Sequence, residues 1–365
     1  MTATTAQEGK GKTSLLGDLF TTATPALCSG ALQAILFNPY DRALYLRVHL
    51  KRDKFLDRRN FKAPFEGFGN AVAYRTIVGA SYIFWQDSCH HWFEIAERQY
   101  HSVRGEEDAK PSFTPGSHPV LYPTCVGIVA GAANGLALNN LQAIKFRMWS
   151  DNSLVEGHAN TKGFFSTGAH MYRTAGVSSF FRGVKITVLR DVTFGLVYES
   201  LRHSATMERV VGGKASELYA ASNGVESQSE AGKRSVRRDA HVRRFAINLC
   251  SGVMGTVASA PINYLRSVIY GTPLLSCPIP IRTVLRFNMN EMNYMLIHGH
   301  SFATEAAMVR GMNATCTVPT GKKHWGAAWR CLNAKLNIGW GSLRVGLGMA
   351  SGQYFFARIK SAMTD

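Results

Sequence analysis

The sequence predicts an all-α membrane protein in which six transmembrane helices form three tandem two-helix repeats. Three observations predict this fold. They are long segments of small and apolar residues, a helix-and-kink pattern that occurs three times about 100 residues apart, and a segment centred on one arginine after each copy. Because self-similarity at a fixed period identifies the structural unit, the repeat is the basis for interpreting the rest of the chain.

The candidate helices are less apolar than ordinary lipid-embedded segments. No stretch reaches about 18 uninterrupted apolar residues, the usual mark of a membrane-spanning helix. Instead, segments rich in Gly, Ala and Ser, with at most three charges in any of them, lie at 24–40, 119–140, 183–198, 245–265 and 341–357. Small residues allow close helix packing, and charges in such helices face a hydrated inner side. The pattern favours a water-lined bundle over a soluble helical protein.

Each repeat begins with a small-residue helix that runs into a helix-breaking residue and then polar positions. The copies are CSGALQAILFNPYDRAL, VGIVAGAANGLALNNLQAIKFR and LCSGVMGTVASAPINYLR, with Pro39, Asn140 and Pro261 at the break. Since proline lacks a backbone N–H and bends a helix, kinks are predicted at Pro39 and Pro261.

A second shared pattern follows each copy and is centred on one arginine. The three segments are GNAVAYRTIVGASYIFWQD, FFRGVKITVLRDVTFGLVYESLR and GWGSLRVGLGMASGQYFFARIK, with Arg75, Arg190 and Arg344 at their centres. The middle repeat is the most complete, because GFFSTGAHMYRTAGVSSFFRG supplies an amphipathic helix between its two membrane segments.

Together these patterns resemble the mitochondrial carrier family, whose repeat carries Pro-x-Asp/Glu-x-x-Lys/Arg, then an acidic-Gly pair, then an aromatic-Arg-Gly turn. Glu66-Gly67 is similar to the acidic-Gly pair, and Phe181-Arg182-Gly183 is similar to the turn. The run from Tyr198 to Arg202 is similar to the aromatic-acidic-x-x-basic motif that ends even-numbered helices. The resemblance covers nearly the whole chain. It implies the mitochondrial carrier fold with pseudo-threefold symmetry, multi-pass in the mitochondrial inner membrane.

Two insertions interrupt the repeats. The expected domains are an N-terminal extension (1–20), repeat 1 with a short matrix segment (21–104), repeat 2 (117–204), an inter-repeat insertion (205–243), and repeat 3 (244–362) with an insertion at about 272–323. The first insertion is rich in Gly, Ser and Glu and then basic, and as an isolated loop it is expected to be disordered. The second is Met-rich and partly apolar, so we expect its own bundle or another protein to cover it.

In the family, acidic and basic residues after each kink pair between neighbouring helices and close the matrix side. The corresponding positions are Asp41, Gln142 and Asn263 for the acids and Leu44, Lys145 and Arg266 for the bases. Of these, only Asp41 and Lys145 are expected to form an ion pair. Gln142 can still hydrogen-bond Arg266. Asn263 is expected to face Leu44, and these two uncharged side chains cannot form an ion pair.

The gate on the opposite side is also incomplete. Its acidic positions correspond to Asp87, Glu199 and Ala357, and its basic positions to His90, Arg202 and Lys360. Two ion pairs are expected here, Asp87 with Arg202 and Glu199 with Lys360. The matrix side is therefore the more degraded of the two.

This asymmetry bears on function. Alternating access needs two closed states of comparable energy, so unequal gates bias the protein toward one state. The sequence therefore favours a transport-incompetent structural or accessory subunit of a large inner-membrane assembly such as a respiratory-chain complex, with other subunits of that complex as partners. The alternative is an active alternating-access carrier of an anionic, nucleotide- or phosphate-like metabolite.

Cationic residues support the alternative. Arg75, Lys185 and Arg344 resemble the family's substrate contact points, with Lys185 or Ile186 representing the fourth helix. Facing a hydrated cavity, they would favour an anionic solute, whereas as inherited or headgroup-directed residues they would bind none. Membrane lipids are further expected partners. Cardiolipin or another anionic lipid would suit the basic residues near helix ends, namely Arg52, Arg58, Arg59 and Lys62.

Other function classes are excluded by composition and motifs. The formal charge of +17 permits nucleic-acid binding, but no zinc spacing, basic recognition helix or RNA-binding aromatic signature is present, so no nucleic acid is predicted as a partner. The seven cysteines form no Cys-x-x-Cys pair, and His90-His91 and His298-Gly-His300 are interpreted as helix-end and insertion residues, so no metal is predicted. No nucleophile–base constellation or phosphate loop occurs, so neither enzymatic activity nor a cofactor is expected.

Overall fold

The structure, a computed structural model, consists of helices and their connections. The described residues are 15–49, 55–61, 65, 68–104, 113–114, 116–154, 163–214, 230–276, 279–300, 324–336 and 338–364. Within these ranges the regular structure is helical and no strand occurs. The predicted all-α class is therefore confirmed.

The helices differ widely in length. In chain order they are α1 (Leu15–His49), α2 (Phe68–Arg104), α3 (Leu121–Leu154), α4 (Phe164–Ala175), α5 (Val184–Arg202), α6 (Glu230–Gly271), α7 (Ile281–His298), α8 (Trp325–Leu336) and α9 (Trp340–Thr364). Short 3-10 turns occur at Arg58–Phe61 and Val177–Phe181, and Ala205–Met207 continues into a π turn at Glu208–Gly212. Pro39 and Pro261, the predicted kink residues, lie inside α1 and α6.

Two of the described helices are long and apolar enough to cross a membrane, judged by length and composition. These segments are Leu121–Met148 in α3 and Ala240–Gly271 in α6. Of the other long helices, α1 has 35 residues, a length of about 50 Å at 1.5 Å per residue, against about 30 Å for the hydrocarbon core of a bilayer.

The chain divides into two compact units. Unit 1 comprises Met1–Leu138, Asp191–Ala258 and Ser342–Asp365, and unit 2 comprises Asn139–Arg190 and Ser259–Gly341. Each unit thus draws on several of the predicted repeats. The repeat boundaries remain a prediction.

Small residues bring α3 and α5 into backbone contact in unit 1. A Cβ placed on Gly127 would lie 2.2 Å from the Gly195 carbonyl oxygen. One turn further along α3, a Cβ on Gly131 would lie 2.3 Å from the Asp191 carbonyl oxygen. Distances this short leave no space for a side chain, so these glycines determine how closely the two helices approach.

Small residues also mark other helix contacts of unit 1. Gly30 of α1 lies against the backbone of α2, and Gly252 of α6 lies against Gly346 of α9. The Ser29 hydroxyl of α1 donates to the Gly352 carbonyl of α9 at 2.7 Å. α1 and α9, the first and last of the described helices, are therefore neighbours in this unit.

An aromatic core joins α2, α3 and α5 in unit 1. Its buried members are Tyr82, Cys89, Tyr122, Val126, Ala130 and Tyr198. Phe194 stacks on Tyr198 with ring centroids 5.8 Å apart, and its ring also lies against Gly255 of α6. In unit 1, α1, α2, α3, α5, α6 and α9 thus each contact the next one, and α9 contacts α1.

Unit 2 has its own core, built from the C-terminal part of α3, from α4 and from the C-terminal part of α6. Ala143, Ile144, Met171 and Tyr270 are its buried members. A buried hydrogen-bond network accompanies this core. The Tyr270 hydroxyl donates to Asn139 Oδ1 at 2.8 Å and lies 2.8 Å from the Thr187 hydroxyl, while Asn139 Nδ2 donates to the Phe180 carbonyl at 2.7 Å.

Removal of one hydroxyl tests this network. The Tyr270→Phe variant is expected to lose about 1–3 kcal/mol of unfolding free energy, because the Asn139 and Thr187 side chains lose a buried partner. Denaturant unfolding of the purified protein in detergent measures the change. Tyr172→Phe is the matched control, since Tyr172 is 57% exposed and its loss should stay within about 0.5 kcal/mol. Equal losses for both variants would contradict the prediction.

Two arginines of unit 2 bind the C-terminus of α6. Arg182 donates to the carbonyls of Pro273 at 2.8 Å and of Thr272 and Leu274 at 3.4 Å. Arg147 donates to the Thr272 carbonyl at 2.7 Å. These carbonyls follow Gly271, the last residue of α6, and cations are favoured at this end of a helix by its dipole. The Phe181-Arg182-Gly183 turn therefore holds the segment that follows α6.

One insertion differs from its expected structure. α6 begins at Glu230, so the basic end of the predicted inter-repeat insertion belongs to a helix and not to a loop. The physical reason is that an existing helix extends at low cost into a neighbouring segment that contains no proline.

Several predicted residues lie outside the described ranges. These are residues 1–14 of the N-terminal extension, residues 215–229 and 301–323 of the two insertions, Arg52 and Lys62 of the candidate lipid site, and the Glu66-Gly67 pair. Between α1 and α2, the described residues hold a 3-10 turn and no α-helix.

Candidate functional site

Asp41, Arg75 and Arg344 form an ion cluster in unit 1, which we call the Asp41 cluster. Asp41 follows Pro39 in α1, Arg75 lies in α2 and Arg344 lies in α9. Arg344 donates from Nε and Nη2 to the two carboxylate oxygens of Asp41, at 2.9 Å each. Arg75 Nη2 lies 2.9 Å from Asp41 Oδ1. A single carboxylate thus binds guanidinium groups from two other helices.

Neighbouring residues fix the Arg344 guanidinium. Its carbon lies 4.5 Å from the centroid of the Phe37 ring, an arrangement that attracts a cation to the aromatic face. One turn after Arg344, a Cβ on Gly348 would lie 2.5 Å from Arg344 Nη1. The absence of a side chain at Gly348 therefore leaves the space that the guanidinium occupies. The same Cβ would lie 3.4 Å from the Gln33 side-chain oxygen, so Gln33 completes this surface.

The Asp41 cluster has an excess positive charge, since two guanidinium groups face one carboxylate. The Arg344 side chain is 9% exposed and the Arg75 side chain 32% exposed, so Arg75 is the accessible cation. Guanidinium groups bind carboxylate and phosphate oxygens in a bidentate manner. The cluster can therefore accept an anionic group at Arg75, or one that takes the place of Asp41.

The third predicted contact residue belongs to unit 2. There the Lys185 side chain is exposed and the adjacent Ile186 is buried. Of the three predicted contact residues, unit 1 thus contains Arg75 and Arg344, and Asp41 brings them together.

All four charged residues of the predicted opposite gate lie in unit 1. Asp87 accepts hydrogen bonds from Lys360 Nζ at 2.9 and 2.7 Å and from the Thr22 hydroxyl at 2.7 Å. Glu199 is fully buried, and its carboxylate lies 3.8 Å from Arg202 and 3.6 Å from the His203 ring. The pairs therefore differ from the expected Asp87–Arg202 and Glu199–Lys360 pairs.

The helix contacts of unit 1 explain these pairs. The Gln353 amide of α9 donates to Gln86 of α2 at 2.6 Å, and this contact places the end of α9 beside Asp87. Arg202 in turn donates to Gln353 at 3.5 Å. The Tyr82 hydroxyl, 3.5 Å from Glu199, extends the network into the aromatic core.

The predicted matrix-gate positions divide between the units. Asp41 and Leu44 belong to unit 1, and Gln142, Lys145, Asn263 and Arg266 belong to unit 2. In unit 2, Arg266 donates to Gln142 Oε1 and, at 2.6 Å, to Asn263 Oδ1. Two neutral amides thus bind this arginine in place of carboxylates. The Asp41–Lys145 pair stays a prediction.

Sequence reasoning missed the amide side chains of the site. Gln33, Gln86 and Gln353 are polar residues inside helices of small and apolar residues, and this isolation was the signal that could have identified them, because a buried amide requires a partner. Gly348 gave no signal, since it is one of 34 glycines in the chain. Over the described part of the chain, no group of three or more His, Cys, Asp or Glu side chains is arranged to bind a metal ion.

Comparison with known protein families finds a match for one segment of the chain. Residues 116–206 match a family model described as "Mitochondrial carrier protein". The match spans α3, α4 and α5, the part of the chain in which the sequence predicts the most complete repeat. No curated protein matches the chain.

Proposed function

We propose, from the match of residues 116–206 to the mitochondrial carrier family model, that this chain is a member of that family and a transporter-type protein of the mitochondrial inner membrane. In this proposal α1, α2, α3, α5, α6 and α9 cross the bilayer as three two-helix repeats, and the protein moves a small anion by alternating access. Members of this family are transporters of that membrane and not enzymes. We infer an anionic solute from the Asp41 cluster, in which two guanidinium groups face one carboxylate.

In this proposal the Asp41 carboxylate occupies the position that the anionic group of the solute takes when it binds. It binds Arg344 through two parallel hydrogen bonds and Arg75 through a third contact, each at 2.9 Å. A carboxylate or phosphate group offers the same pair of oxygens. Such a group can enter at Arg75, the more exposed arginine, and then replace Asp41 at Arg344.

Displacement of Asp41 couples binding to a change of state. The carboxylate connects α1 with α2 and α9, so its release separates three helices that the ion pairs hold together. A ligand shifts a conformational equilibrium when it binds one state more tightly than the other. An anion that enters at Arg75 and binds Arg344 only after Asp41 is released meets this condition, because both arginines are available to it together in that state alone.

An uptake assay tests the proposal. We expect liposomes that contain the full-length protein to take up at least one of three radiolabelled probes, namely inorganic phosphate, succinate and ATP. Arg75→Gln should lower that uptake by about tenfold or more, because it removes the accessible guanidinium. The variant keeps the Asp41–Arg344 pair, so it is expected to fold.

The control lies on the same helix. The Arg98 side chain is 74% exposed and pairs with Glu94 one turn away, so Arg98→Gln should retain the uptake rate of the unsubstituted protein. A folded Arg75→Gln variant that transports as fast as Arg98→Gln would contradict a role for the Asp41 cluster in solute binding.

A second candidate function follows from unit 2. Arg266 is bound by the amides of Gln142 and Asn263, so two of the three acidic positions of the predicted matrix gate hold neutral side chains. A carrier-fold protein that no longer switches could instead serve as an accessory subunit of a large inner-membrane complex, such as a respiratory-chain complex. Stoichiometric co-migration with such a complex on a native gel, together with no uptake of any probe, would favour this candidate over transport.

An anionic lipid such as cardiolipin fits either function. Of the candidate lipid residues that the structure describes, Arg58 and Arg59 lie in the 3-10 turn, where Arg59 is 74% exposed and 2.7 Å from Asp57. Headgroup phosphates would compete with Asp57 for this guanidinium. Native mass spectrometry that retains no anionic lipid on the protein would contradict the proposal.

A further inference from the structure

Helices α7 and α8 form an antiparallel hairpin in unit 2. Near the C-terminal end of α8, Lys335 donates to Asn288 at 2.7 Å and binds Glu291, both in α7. At the other end, the His324 backbone N–H donates to the Leu296 carbonyl at 2.8 Å. The two helices therefore run in opposite directions, and the sides that carry these residues face each other.

The hairpin exposes apolar side chains along one face. On α7, Ile281, Leu285 and Met289 follow one another at intervals of one turn and are 38%, 48% and 57% exposed. On α8, Trp325 and Trp329 are likewise one turn apart and are 66% and 58% exposed. With about 100° of rotation per residue and the paired sides in contact, both stripes point to the same side of the hairpin. We call this surface the hairpin face.

The charges of the hairpin are almost all positive. Arg282 and Arg286 are exposed and adjoin the α7 stripe, and Arg330 is exposed on α8. Glu291, the one acidic residue of the two helices, binds Lys335. The hairpin face is thus bordered by cations, and the carboxylate of this hairpin is already paired.

We infer that the hairpin face lies on the surface of an anionic lipid bilayer, with the apolar stripe inserted at the headgroup boundary. Tryptophan favours this boundary because its ring is apolar and its N–H remains hydrated. Apolar residues on one side of a helix, bordered by arginine, are typical of helices that lie in the plane of an anionic membrane. The hairpin is then an additional contact with the bilayer, apart from the helices that cross it.

The positive charge beside the hairpin face favours an anionic lipid surface over the other occupants. An anionic surface complements Arg282 and Arg286 of α7. The apolar stripe needs only a shallow insertion at the boundary between headgroups and acyl chains to be covered. A partner protein or a second copy of the chain would meet the same face, and the experiment distinguishes those occupants from lipid.

Photocrosslinking tests the inference. The full-length protein is reconstituted into liposomes that contain a phospholipid with a photoactivatable group near the headgroup, and adducts are located by peptide mass spectrometry. We expect adducts on the stripe residues at about ten times the yield on Phe287, which is 58% exposed but lies on another side of α7. The yield should fall by about threefold when phosphatidylglycerol is replaced by phosphatidylcholine.

Matched variants complete the test. L285E/M289E is expected to lower the adduct yield on Trp325 and Trp329 by about tenfold, and F287E should leave that yield unchanged, with circular dichroism confirming equal helix content. Equal labelling of Phe287 and the stripe would overturn the inference. Crosslinks from the stripe to another protein or to a second copy, formed in native membranes, would overturn it as well. The assay involves no solute, so its outcome is independent of the transport proposal.

Discussion

Replacement of Asp41 by alanine lowers the unfolding free energy of the protein by an expected 3–5 kcal/mol or so, the usual order of magnitude when one partner of a buried ion pair is removed. The variant leaves Arg344 as an uncompensated charge at 9% exposure, with Arg75 beside it. Denaturant unfolding in detergent, followed by loss of helical signal, measures the change.

A surface ion pair provides the control for this prediction. Glu94 and Arg98 are 2.6 Å apart but are 50% and 74% exposed, so Glu94→Ala should cost less than about 1 kcal/mol. The double variant D41A/R344M should recover part of the loss, because it removes the buried charge together with its partner. If Asp41→Ala costs no more than Glu94→Ala, the Asp41 cluster does not stabilise unit 1.

A leucine at Gly127 is expected to disrupt the contact between α3 and α5. Its Cβ alone would lie 2.2 Å from the Gly195 carbonyl oxygen, and neither backbone can move without opening the aromatic core beside it. We expect a loss of at least about 3 kcal/mol. Recovery of monodisperse protein from detergent and its unfolding midpoint are the measurements.

Gly326 offers the same substitution in open space. It lies in α8, and a Cβ there would meet no atom within 4 Å, so Gly326→Leu should change the stability by less than about 0.5 kcal/mol. A Gly127→Leu variant that is as stable as Gly326→Leu would show that close backbone contact is not required between α3 and α5.

Much of the fold could be predicted because residue spacing within one helix determines which of its sides can pack closely. Glycines one turn apart in α3 indicate a close helix contact, and Gly127 and Gly131 form one. The match of residues 116–206 to the carrier family lies where the repeat pattern is most complete. Six membrane crossings with threefold symmetry stay a prediction, since only two described helices meet the criterion for a span.

The partners of the charged residues could not be predicted in the same way. The sequence places Asp41 two residues beyond the kink residue Pro39. It contains no information on the rotation of α2 and α9, and this rotation decides that Arg75 and Arg344 reach Asp41. Similarly, Lys360 binds Asp87 because α9 lies beside α2. Partner choice depends on helix orientation, which a single sequence does not specify.

The start of α6 was mispredicted for a different reason. Composition indicated a loop up to residue 243, because basic and small residues are typical of solvated segments. The helix nevertheless begins at Glu230. Composition indicates whether a segment can be buried, whereas a helix that continues from a packed one extends at low cost without burial of its own.

The contact between Asp41 and Arg344 has a consequence for the order in which the protein is made. The two residues are 303 positions apart, and Ser29 and Gly352 are 323 apart, so α1 leaves the ribosome long before α9 exists. During that interval the Asp41 carboxylate of α1 has Arg75 but lacks Arg344, and the Ser29 hydroxyl lacks the Gly352 carbonyl. Unit 1 can therefore reach its native state only after α9 has been synthesised. A chain that stops before α9 lacks the last helix and also leaves the first one incomplete.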